Sequence, residues 1–161
     1  MARTKITARF DITRDIENFS DDQLKSLIGN TIINESKDFI SKGISPVSGI
    51  KRFERYKDVK KYPGGKKDNR PVNLELTGKM LKELNWREID KDVISFGIFP
   101  DAPEDVRIRA EVHNNGVPEI GIVARPFIPS NKGETLIVSI LRKILDIYEK
   151  KMDAIIKKSN K

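Results

Sequence analysis

The sequence predicts an α/β fold of the α+β kind, in which a mainly antiparallel sheet is packed by two long helices with a long basic loop between them. Three observations lead there. Residues 5–13 alternate strictly, with Ile6, Ala8, Phe10 and Ile12 on one face and Lys5, Thr7, Arg9, Asp11 and Thr13 on the other. That two-residue period is the mark of a half-buried strand. Two other stretches, about 21–42 and 133–158, space their apolar residues at helical intervals. Between them, residues 43–73 hold three prolines, four glycines and no surviving amphipathic period.

Each element has its own local reason. Ser20 before Asp21 and Asp22 is a capping serine followed by acids that favour a first helical turn. Leu24, Leu27, Ile28, Ile32 and Phe39 then form a stripe, widened by Ile33 and Ile40, and Gly43 is a suitable stop. The loop 43–73 is longer than ordinary connections, which marks it as functional or disordered. Thr77 is placed to cap a short helix reaching about Trp86, with Met80, Leu81 and Leu84 inward. Arg87–Asp90 and Val93–Phe99 read as two strands around Asp90-Lys91-Asp92, and the Ile94, Phe96 and Ile98 face should lie on the helices.

Pro103 suits the first turn of the next helix, which brings Val106, Ala110 and His113 near one another and ends on Asn114-Asn115-Gly116. Residues 117–129 are proline-bounded and extended, with Glu119–Ala124 as a further strand. Ser130 would cap the last helix, 133–158. Its stripe comprises Leu136, Ile137, Ile140, Leu141, Ile144, Leu145, Tyr148, Met152, Ile155 and Ile156. Such a helix is ~38 Å long. That exceeds one small domain, so its C-terminal part, with Tyr148 and Met152, is expected to pack on another subunit or to fray.

Composition narrows the function. The 161 residues suit one domain, with 37% hydrophobic and 34% charged residues. No cysteine is present, which excludes disulfides, thiolate metal sites and thiol nucleophiles. Residues 1–13 lack an apolar leader core, and no run approaches 18 apolar residues. The net charge is +7, and residues 51–70 alone carry nine bases against three acids. Lys60, Lys61, Lys66 and Lys67 lie in this cluster, with Tyr56 and Tyr62 among the bases. Three readings stay open for it: a solvated loop, a partner contact, or DNA phosphates met with aromatic stacking.

The chemistry of a catalytic centre is missing from the pattern. His113 is the sole histidine; Glu111 is close by in sequence, but there is no cysteine or second histidine to form a metal site and no evident nucleophile. Gly64-Gly65-Lys66-Lys67 fails as a phosphate loop, because Lys60 and Lys67 occupy the places that need glycine and a hydroxyl residue. Asp90/Asp92 and Glu104/Asp105 are turn and helix-start acids rather than a converging metal site. No catalytic, cofactor-binding or metal-binding residue is assigned, no cofactor is called for, and the chain is not expected to be an enzyme.

The order of the short strings is more telling. Ser45-Pro46-Val47 sits in the loop and Leu76-Thr77-Gly78-Lys79-Met80-Leu81 follows it; then come Val112-His113-Asn114-Asn115-Gly116 and Ala124-Arg125-Pro126-Phe127. Over residues 20–150 this order resembles the tail-completion and tail-terminator proteins of long-tailed bacteriophages, the head–tail joining, virion-morphogenesis group. The N-terminal strand and the charged C-terminal helix depart from that pattern. The resemblance implies a compact protomer that forms a homo-oligomeric ring, usually hexameric. The ring would meet the major tail tube protein and the head connector or completion protein, with DNA passing through it. It implies a place in the virion at the head-proximal end of the tail, after assembly in the host cytoplasm, with no membrane partner. Arg125 and Phe127 are then candidate interface anchors, by bidentate pairing and apolar area, or else groups serving their own core. Two rival readings stay open: a nucleic-acid-binding or connector module using loop 51–70, and a small enzyme around His113, which would need a pocket with convergent polar groups.

Overall fold

The sheet is built around its most apolar strand. A computed structural model describes residues 6–11, 22–53, 74, 78–91 and 93–159. It places β3, Val93–Ile98, between β1, Ile6–Asp11, and β2, Asn85–Asp90, with both pairings antiparallel. Ile94, Phe96 and Ile98 are buried, as their alternation predicts. Ser95, Gly97 and the adjoining Phe99 are buried too, so the strand is covered on both faces. Ser95 tolerates this because its hydroxyl donates to the Ala8 carbonyl at 3.1 Å. Ala8 is buried on the face predicted for β1. The side chains of Ile6, Phe10 and Ile12 lie outside the described residues.

Helix α1, Asp22–Ser41, matches its predicted span. Its proposed cap, Ser20, lies outside the described residues. The stop at Gly43 is a Schellman motif. Gly43 has φ 71°, its N–H donates to the Ile40 carbonyl at 2.9 Å, and the Ile44 N–H donates to the Phe39 carbonyl at 3.0 Å. One helix position needs a glycine for space. Trp86 of β2 lies across α1 at Gly29, where a Cβ would stand 2.2 Å from the indole ring. The indole N–H donates to the Asn30 side chain at 3.0 Å.

Several expected boundaries give way. The short helix α2 covers only Lys79–Lys82, not residues 77–86, because Trp86 pairs with Phe96 in the sheet. The Thr77 cap lies outside the described residues. Helix α3, Glu104–Asn115, has Val106, Ala110 and Asn114 buried, and α2 packs on it. The strand expected at Glu119–Ala124 is absent. Pro118–Ile120 instead forms a 3-10 turn closed by Gly121 at φ 75°, and Val117 bridges Ile122. The last helix, α4, spans Val138–Ser159 and does not start at 133. Leu136 bridges Val47, and the Ile137 N–H donates to the Pro46 carbonyl at 2.9 Å, so these residues serve the loop before the helix begins. Helix α4 then lies along α1, and α1 lies on β2 and β3.

The first part of the long loop is packed onto the protomer. Ser45, Val47 and Phe53 are buried, Ile44 bridges Arg52, and the Phe53 N–H donates to the Gly43 carbonyl at 2.9 Å. Residues 43–53 are therefore part of the fold. Most of the basic cluster, with Lys60, Lys61, Lys66 and Lys67, lies outside the described residues.

Candidate functional site

Three of the sequence strings meet at one place, the end of α3. The Gly116 N–H donates to the Val112 carbonyl at 2.9 Å, which closes the helix. Gly116 sits at φ 73°, and a Cβ there would stand 2.6 Å from the Ala124 nitrogen and 2.9 Å from the Ile122 oxygen. Only glycine allows both that torsion and that approach. The returning chain is thereby pressed against the helix end, and the Arg125 N–H donates to the His113 carbonyl at 2.6 Å.

Asn114 then grips the 124–129 arm. Its side-chain oxygen accepts the Phe127 N–H at 2.8 Å and the Ile128 N–H at 3.0 Å. Its amide donates to the Ile128 carbonyl at 3.2 Å and to the Ser130 hydroxyl at 2.9 Å. One buried amide thus serves backbone groups that would otherwise need a neighbouring strand. Ser45 holds the arm through Pro126. Its hydroxyl donates to the Pro126 carbonyl at 2.6 Å and accepts the Val47 N–H at 3.0 Å.

Of the two readings of Arg125 and Phe127, this arrangement supports the one in which they serve their own core. Phe127 is 1% exposed and belongs to the protomer core. Arg125 is 4% exposed, and its guanidinium donates to the Val123 carbonyl at 3.2 Å. Sequence reasoning left the Arg-Pro-Phe string, which has no helical or strand period, open between an interface anchor and a core group. It overlooked Asn114 and Ser45, whose signal was present: a short polar residue just before a helix-ending glycine, and a serine before proline.

His113 is also structural in its setting. Its Nδ1 is buried without a hydrogen-bond partner among the described residues. Burial, helped by the Arg125 and Arg109 charges, pushes its pKa down from 6.5 to about 4. At neutral pH the ring is an uncharged packing group beside two guanidinium groups. Among the described residues, no group of three or more His, Asp or Glu could hold a metal ion. No described helix is long and apolar enough to cross a membrane. An open hollow near β2 is lined by Arg87, Pro100, Asp101 and Arg107. Arg107 there donates to the Ala102 carbonyl at 3.1 Å. Arg87 pairs with Asp101 at 2.6 Å, which holds the Asp101 carboxyl below its ordinary range, and it lies 4.2 Å over the Phe99 ring.

The unsatisfied surface is apolar and lies elsewhere. On α4, Ile140 and Ile144 are buried, yet Val138 is 58% exposed and Leu145 59% exposed, with Ile155 and Ile156 also exposed. Tyr148 and Met152, expected at an interface, are half-buried against the protomer core. A second exposed group sits on other elements: Ile108 on α3 and Ile120, 72% exposed, at the 3-10 turn. The spacing argument counted Leu145 and Ile156 in one wide stripe and could not separate the covered part from the open part. No protein-family model, curated protein or solved structure matches this chain.

Proposed function

We propose that this chain is a structural virion-assembly protein. By its resemblance it would form a ring, of six copies, at the head-proximal end of a phage tail tube. There it would stop addition of tube protein and present the head-joining surface. The observation that carries an assembly role is the presence of exposed apolar side chains on two different elements, α4 and the α3/3-10 region. A closed ring of head-to-tail contacts needs two unlike faces on each protomer. Single exposed apolar residues such as Leu27 and Ile89 are ordinary, but a row of them along one helix, as on α4, marks an interaction site. The ordered strings from Ser45 to Phe127 direct that role to the tail end. In support, those strings meet in one internal clamp that fixes the protomer's shape, which is what a rigid ring subunit requires.

The reading is tested in two steps. Native mass measurement and negative-stain imaging of the full-length protein, alone and with tail tubes, should give six-membered rings. Deleting its gene from the virus that carries it should give overlong tails or tails unjoined to heads. Normal tails without the protein overturn the reading. Tight DNA binding by the free protein, with a steep salt dependence, would favour the nucleic-acid module using loop 51–70 instead.

A further inference from the structure

Helix α4 carries two apolar stripes, one buried in the protomer and one that the protomer covers only in part. Ile140 and Ile144 point into the core. Lys143 pairs with Glu35 of α1 at 2.6 Å, which sets α1 on the Lys143 flank of the helix. The other stripe borders the first: Leu141, Tyr148 and Met152 are half-buried against the core, while Val138, Leu145 and Ile155 are exposed. Val138, Leu141, Leu145, Tyr148, Met152 and Ile155 recur in alternating steps of three and four residues, the a/d spacing of a coiled-coil seam.

We propose that this stripe docks α4 of a second copy of the chain, laid antiparallel about a two-fold axis. The stripe is its own complement when reversed. Val138 falls opposite the partner's Ile155, Leu141 opposite the partner's Met152, and Leu145 opposite the partner's Tyr148, and each layer occurs twice. The layers span ~26 Å of helix. Charge selects the same orientation. Arg142 and Glu149 occupy equivalent heptad positions beside the stripe, both are exposed, and neither forms an ion pair among the described residues. Antiparallel pairing sets Arg142 against the partner's Glu149 twice. Parallel pairing sets Glu149 against Ile144 and Lys151 against Ile156 and matches no charge.

The surface beside the stripe fits the same occupant. Leu141 borders a cavity of about 190 Å³ lined also by Ala8, Phe96, Pro129, Glu134, Thr135 and Leu136. The register brings the partner's Met152 to its mouth, and a flexible thioether suits the apolar side of such an irregular gap. The inference concerns the protein free in solution and does not rest on the tail reading. In a head-to-tail ring the α4 contact has no two-fold axis, so the dimer is a separate state that withholds α4 from ring closure.

Because the chain has no cysteine, introduced thiols report cleanly. Full-length Val138→Cys and Ile155→Cys variants should cross-link when mixed under oxidation, and neither should cross-link alone. Val138→Cys linking to itself would mean a parallel pair and overturn the proposal, as would a monomer with no cross-link in any mixture. Sedimentation should show a dimer that Arg142→Glu weakens by about tenfold and that Arg142→Glu/Glu149→Arg restores. An unaffected dimer, or failure of the double exchange to restore it, overturns the proposal. A six-membered ring with no dimer stage would sink this inference and leave the ring reading standing. A dimer from a gene whose loss leaves tails normal would do the reverse.

Discussion

The 124–129 arm and helix α4 are both rich in apolar side chains, yet the protomer buries the large ones of the arm, Phe127 and Ile128, and leaves several of those on α4 exposed. The arm has no regular secondary structure of its own. It is held because polar groups from two other segments, Asn114 and Ser45, meet its backbone and let Phe127 and Ile128 sink into the core. Helix α4 meets its own backbone needs internally. It needs no such partner, and its outer stripe is free to stay at the surface. Segments without internal hydrogen bonds must be bound in place, whereas a helix can leave one face unoccupied.

The sharpest way to break this contrast is at the arm. Phe127→Ala should destabilise the protomer by about 3–5 kcal/mol in urea unfolding. Asn114→Leu should cost about 3–4 kcal/mol, since two buried N–H groups and a carbonyl lose their partner. A pH titration probes the same region. His113 is held down to about 4 from 6.5 by burial and then by Arg125 and Arg109, so the unfolded chain takes up this proton first. Stability should be full above about pH 7 and should fall as pH drops through the window between the two values, by up to about 3 kcal/mol. His113→Gln should flatten that window when midpoints are compared at several pH values.

Gly116→Ala should cost about 2–3 kcal/mol, because it adds left-handed strain to the contact with Ala124. At the far end of the scale, Leu145→Ser on α4 should change thermal stability by less than about 0.5 kcal/mol. A large loss there would place Leu145 in the core and erase the contrast between the two regions.

Much of the frame was legible because it rests on local periods. The β3 face of Ile94, Phe96 and Ile98, the span of α1 and its Gly43 stop, and the end of α3 at Gly116 all follow from residues next to one another. The misses share one cause, which is pairing across long separations. Ile137 continues a helical spacing, but its N–H is claimed by Pro46. Trp86 follows a helical turn, but β3 draws it into the sheet. Pro118 and Gly121 supplied the signal for a turn where a strand was expected, and that signal was underweighted. Of the candidate interface residues, Arg125 and Phe127 are absorbed by the clamp, Tyr148 and Met152 are the half-buried members of the outer stripe, and the four lysines lie outside the described residues. The exposed Val138 was missed because helical spacing alone does not say which side of a wide stripe a neighbouring helix will cover.

The 3-10 turn has a consequence for how this chain could vary in length. Val117 and Ile122 exchange hydrogen bonds at 2.8 and 3.0 Å, and Gly116 is pressed on Ala124. The arm's position is thus set at the base of the turn and by Asn114, not by the residues of the turn itself. Pro118–Gly121 forms a closed handle on a fixed mount. Doubling such a loop adds only ~0.6 kcal/mol of closure entropy. A peptide tag or a natural insertion placed there would leave the mount and everything beyond it where they are. The chain therefore offers a ready point for grafting new surface onto an unchanged frame.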